Sequence, residues 1–79
     1  MSENRIASRK RVFKAGTIEF GGGAIDCLVR NLSTAGAALE VSNQIGIPER
    51  FVLAVPGDGL HLPCHIAWRK ERRIGVTFG

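Results

Sequence analysis

The chain has no apolar run approaching the roughly 18–20 residues that a membrane-spanning helix requires, so membrane insertion is not expected. Its first fourteen residues, Met1 to Lys14, are polar and basic. They contain no apolar stretch of the secretory type, which predicts no signal peptide and a cytoplasmic location. Cysteine is scarce: only Cys27 and Cys64 are present, with no C-x-x-C pair and no histidine at zinc spacing. Two such cysteines in a cytosolic chain are expected to stay reduced and buried as small apolar residues. Seventy-nine residues leave no room for a second lobe, which excludes a deep interdomain cleft. A domain of this size buries only about 60–65% of its unfolded surface, so the core is thin. A binding site belongs on an outer face, a barrel mouth or a terminal arm.

Catalytic and metal-binding constellations are also missing. His61 and His65 share a strand face, but positions i and i+4 of a strand lie about 13 Å apart, too far to share a metal. The run Gly21-Gly22-Gly23 lacks the lysine and the Ser/Thr of a phosphate-binding P-loop and reads as a hairpin. Asp26 and Asp58 have no partner carboxylate placed beside them, and Ser33 has no base nearby in sequence. The chain is therefore expected not to be an enzyme, and no metal or cofactor is expected.

What is present is a globular composition, 44% hydrophobic and 23% charged, which argues against disorder. The net charge of +4 is gathered in two places. Arg5, Arg9, Lys10, Arg11 and Lys14 form one cluster; Arg69, Lys70, Arg72 and Arg73, interrupted only by Glu71, form the other. Such clusters concentrate anions but do not choose among nucleotide, nucleic acid and membrane surface.

Period-two alternation predicts six strands. The first spans 11–20. The second, 24–32, carries Ile25, Cys27 and Val29 on one face. A polar corner from Asn31 to Gly36 leads to a strand over 37–42, with Ala37, Leu39 and Val41 inward and Glu40 outward. Residues 43–49 read as a loop or one helical turn. Phe51, Leu53 and Val55 form a further inward row, and Pro56-Gly57-Asp58-Gly59 is a turn. The fifth strand, 60–69, puts Leu60, Leu62, Cys64, Ile66 and Trp68 on one face, with Pro63 marking an edge or a bulge. The last, 73–78, turns Ile74, Val76 and Phe78 inward. Six short strands without an amphipathic helix predict an all-β, six-stranded antiparallel barrel, a closure that removes exposed edges.

Two motifs stand out. Arg5-Ile6-Ala7-Ser8-Arg9 is R-x-x-x-R just before the first strand. Asn31-Leu32-Ser33-Thr34-Ala35-Gly36 is N-x-S-x-x-G at the corner, beginning 22 positions after Arg9. Arginine's planar fork grips phosphate bidentately and matches the O6/N7 edge of guanine. Asn31 and Ser33 offer donors and acceptors on a turn. Gly36 lets a ligand approach the backbone closely or supplies a positive φ. Either motif alone is weak; together they point to a nucleotide.

With these motifs the sequence resembles the PilZ domain family, bacterial receptors for the second messenger cyclic di-GMP. The resemblance extends over residues 5–78, including His65-Ile66-Ala67-Trp68 and Arg73-Ile74-Gly75-Val76-Thr77-Phe78. It implies a split-barrel type of β-barrel over 11–79 and a flexible N-terminal arm over 1–10. It implies cyclic di-GMP as ligand, with Arg5 and Arg9 gripping phosphates and guanine, and Asn31, Ser33 and Gly36 contacting the other guanine and its ribose-phosphate. The arm would fold over the ligand. Departures are Asn31 where aspartate is commoner, Ser8 where many members have proline, and an end at Gly79 without the C-terminal helix many members carry. Without an attached output domain, the signal is expected to pass to a downstream effector protein. The alternatives are a PilZ-like adaptor that binds only proteins, and a small nucleic-acid-binding β-barrel. Intact motifs count against the first. The second needs exposed aromatics, and most of Phe13, Phe20, Phe51, Phe78 and Trp68 fall in inward rows. A membrane-surface binder would need an amphipathic helix, which is absent.

Overall fold

A computed structural model describes residues 10–79. Alternating apolar side chains place one face of each strand inward, and glycine- or proline-marked turns reverse the chain between strands. The strands are β1 (Lys10–Phe20), β2 (Gly23–Leu32), β3 (Gly36–Glu40), β4 (Arg50–Val55), β5 (Leu60–Lys70) and β6 (Arg73–Phe78). They close into an antiparallel barrel in the order β1-β2-β3-β6-β5-β4. The fold is thus the all-β six-stranded barrel that the alternation predicts.

The interior is filled by the inward rows. Ile18, Val29, Leu39, Leu53, Val55 and Ile74 are the largest fully buried side chains. Each contributes roughly 1.5–3 kcal/mol through burial. Cys27 and Cys64 are free thiols in the same core. Burial pushes both up to about 11; for Cys27 the neighbouring Asp26 carboxylate and then Cys64 add to the effect. At neutral pH both are protonated, apolar core groups.

Local chemistry explains the connections. Gly21 and Gly22 turn β1 into β2. After β4 comes a 3-10 turn, Pro56–Asp58, ended by Gly59 at φ +64. Proline fixes the entry to this turn, and glycine takes the left-handed exit without a Cβ clash. The Lys14 ammonium meets the Asp58 carboxylate at 2.7 Å, tying the turn to β1. Pro63 pairs with Val52 of β4 at a point beyond the end of β6, whose pairing with β5 begins at Cys64↔Phe78. On that side the Gly79 amide, just past β6, donates to the Pro63 carbonyl at 3.0 Å, so the missing proline N–H falls at the end of the β5–β6 ladder. Residues 43–49 form a loop with Gly46 at φ +88, and no helical turn. Strand β3 ends at Glu40, earlier than predicted, although Val41 still faces the core.

Candidate functional site

The corner between β2 and β3 is held by Ser33. Its hydroxyl oxygen accepts from the amides of Ala35 and Gly36, both at 3.2 Å, and donates to the Gly36 carbonyl at 3.3 Å. The Ser33 amide donates to the same carbonyl at 2.9 Å. One donor and two acceptor sites exhaust a hydroxyl. Ser33 therefore shapes the corner with all of its hydrogen-bonding capacity. Gly36 is not among the glycines with positive φ. It is required for space: a Cβ there would run into the Val76 carbonyl oxygen of the paired strand β6.

Beside the corner lies a shallow groove of about 430 Å³, within the size range of small-molecule sites. Its floor follows from strand register. Asn31 is paired with Ala38, Ala38 with Gly75, and Gly75 with Trp68. Residues paired across a sheet point to the same side. This row crosses β2, β3, β6 and β5, a width of about 14 Å at ~4.8 Å per strand. Its two middle members, Ala38 and Gly75, are small and form the floor; Asn31 and Trp68 stand at its two ends.

Trp68 was expected in the inward row of β5, and it is not there. Register shifts between Ile66 and Trp68, so β5 carries one extra residue, Ala67, opposite β6. This bulge turns the side chain outward, and Trp68 is 45% exposed. The indole lies against Gly75 so closely that a Cβ at that position would overlap its ring. Simple parity counting missed Trp68. The cue in the sequence is Gly75 within an otherwise apolar strand, since a strand glycine marks close approach by another group.

The neighbouring outward row is charged. Glu40 pairs with Arg73, and Arg73 with Lys70. Arg30 donates to Glu40 at 2.6 Å and stacks its guanidinium 4.6 Å from the centre of the Phe13 ring. Phe13, 72% exposed, is a second aromatic outside the core. Register shifts on both sides of Arg30, between Arg11 and Lys14 on β1 and between Val29 and Asn31 on β2, turn this region outward. Arg73 lines the groove from this row.

Of the residues the motifs single out, Asn31, Ser33 and Gly36 line the groove. Arg5 and Arg9 lie outside the described residues, as do residues 1–9 of the expected arm over 1–10, whose last residue, Lys10, is the first of β1. Strand β1 begins with Lys10 opposite Leu32 and Arg11 opposite Asn31, directly beside the groove. A larger hollow of about 670 Å³ elsewhere on the barrel is lined chiefly by apolar groups such as Phe20, Phe51, Pro48 and Pro63. It contains none of the motif residues, and the smaller groove is the better candidate. Among the described residues no three His, Cys, Asp or Glu side chains gather as a metal site, and no helix is long and apolar enough to cross a membrane.

A protein-family model described as "PilZ domain" matches residues 3–79. No curated protein matches the chain. Among solved structures, the chain is similar to the PlzA protein of Borreliella burgdorferi, solved in complex with c-di-GMP. The TM-score is 0.73 at 18% identity, over 95% of this chain and 34% of that one. The chain thus spans about a third of that protein's length, and at this identity the likeness concerns the fold.

Proposed function

The chain belongs to the PilZ domain family, and from that membership we propose that it is a cyclic di-GMP receptor whose ligand lies in the groove beside the β2–β3 corner. Arg5 and Arg9 grip its phosphates and a guanine edge. Asn31 and the Gly36 backbone meet the other guanine and its ribose-phosphate, while Ser33 keeps the corner in shape. Trp68 provides a flat face for a base, and Arg73 adds positive charge on the rim. The protein binds its ligand without transforming it and passes the signal to a partner protein through the changed position of the arm.

The observation that carries the reading is where β1 starts. Lys10 pairs with Leu32, one residue from Ser33. Arg9 is one peptide unit from Lys10, with Cα atoms about 3.8 Å apart, and five residues reach at most about 18 Å. A groove about 14 Å wide is therefore within range of both arginines. The fold likeness to a protein solved with c-di-GMP supports the same reading.

Magnitudes are adequate. Charge-assisted hydrogen bonds contribute roughly 1.5–3 kcal/mol each, and base stacking on an aromatic side chain about 1–3 kcal/mol. Two arginines and one indole reach the ~8 kcal/mol of micromolar binding after the arm is ordered. Calorimetric titration with cyclic di-GMP, with GTP as control, tests the proposal. Arg9→Ala is expected to weaken binding about tenfold or more, a loss of ~1.4 kcal/mol, with the far-ultraviolet circular dichroism of the barrel unchanged. Equal affinity in wild type and variant would refute the role of the arm.

A further inference from the structure

The loop between β3 and β4 is locked onto the β5–β6 hairpin. The Gln44 side-chain amide donates to the carbonyls of Lys70 at 3.0 Å, Glu71 at 2.6 Å and Arg73 at 3.3 Å. Arg69 returns two bonds, to the Gln44 side-chain oxygen at 3.4 Å and to the Ile47 carbonyl at 3.0 Å. The Val41 amide donates to the Arg72 carbonyl at 2.8 Å, and Ile47 is buried beneath the loop. This anchored loop nevertheless holds Ile45 in water, 84% exposed, next to the residue whose side chain caps the hairpin. The hairpin presents Lys70, Arg72 and Arg73, all exposed, around a hollow that also includes Glu71 and the Arg30–Glu40 ion pair and so stays net positive.

An exposed apolar side chain on a loop bonded to a cationic hairpin is complementary to a protein surface offering an apolar socket beside carboxylates. The Gln44 and Arg69 bonds already hold the loop in place, so seating Ile45 in a specific socket costs little further ordering. We propose that the Ile45 loop and the β5–β6 hairpin form the docking surface for an acidic protein segment, with Ile45 as its apolar anchor. This rests on the relay part of the proposed function and not on the identity of the ligand. The two surfaces share one element, because Trp68 and Arg73 of the same hairpin line the groove.

The test uses the full isotope-labelled chain and synthetic peptides, each with one leucine, isoleucine or phenylalanine among glutamates. Amide shifts are expected at Gln44, Ile45, Lys70 and Arg72. Ile45→Ser is expected to weaken the interaction at least tenfold, and peptides with lysine in place of glutamate to leave the spectrum unchanged. Absence of shifts at the loop, or equal binding by Ile45→Ser, overturns the proposal. So does co-sedimentation with phosphatidylglycerol vesicles that depends on Ile45 while the peptides fail to bind; that result would assign the surface to a bilayer. Cyclic di-GMP titration of Ile45→Ser is expected to match wild type. Failure of the docking surface is thereby separated from failure of the ligand site.

Discussion

Two residues show most clearly how small a feature decides the site. Trp68 belongs by parity to the core of β5, and the single extra residue Ala67 moves it to the groove wall. Gly75 is the matching change on β6, since only a residue without a Cβ leaves room for the indole. The pair predicts a distinctive mutational result. Trp68→Ala removes the stacking face and is expected to lower ligand affinity by about 1–3 kcal/mol, roughly 5- to 150-fold. Gly75→Ala keeps the indole but displaces it, and is expected to lower affinity in the same direction. Calorimetry of both variants checks this; full affinity in Gly75→Ala would mean that the position of the indole does not matter to binding. The sequence announced the tryptophan and the glycine but not their contact, because a bulge leaves no mark in the alternation that precedes it.

At the scale of elements, the alternation was a reliable guide wherever pairing is regular. It put Ile25, Cys27 and Val29 on one face of β2 and Phe51, Leu53 and Val55 on one face of β4, and the core contains all but Ile25, which packs against it. It failed at the bulge in β5, where Trp68 turns out of the inward row and into the groove. The corner was legible as a turn, but the reason for its glycine was not: register brings Val76 across from Ala37, and this depends on the β3–β6 pairing, which is remote in sequence. That pairing gives a second prediction. Gly36→Ala forces a Cβ against the Val76 carbonyl, so β3 and β6 must separate locally. Overpacking of this kind is worth about 1–3 kcal/mol of stability. Urea denaturation is expected to show a lowered midpoint for Gly36→Ala; an unchanged midpoint would show that the two strands yield without loss.

For the molecule as a whole, closure does the organising. A thin core from 79 residues would leave two exposed sheet edges in an open sheet. Joining β1 to β4 removes them. It also frees the outer faces of β2, β3, β6 and β5 for binding, which places the β2–β3 corner, Trp68 and the start of β1 around one groove. The barrel itself was legible because six inward rows and their turns admit few arrangements. The groove was only half legible, since its near wall is a contiguous motif and its far wall comes from a strand more than thirty residues away. The central claim is that this groove receives cyclic di-GMP, and Trp68, the single tryptophan of the chain, reports on it directly. Titration with cyclic di-GMP followed by tryptophan emission is predicted to give a saturable change in intensity that GTP does not reproduce. Emission that stays constant while calorimetry registers binding would contradict the account, because the ligand would then occupy another part of the barrel.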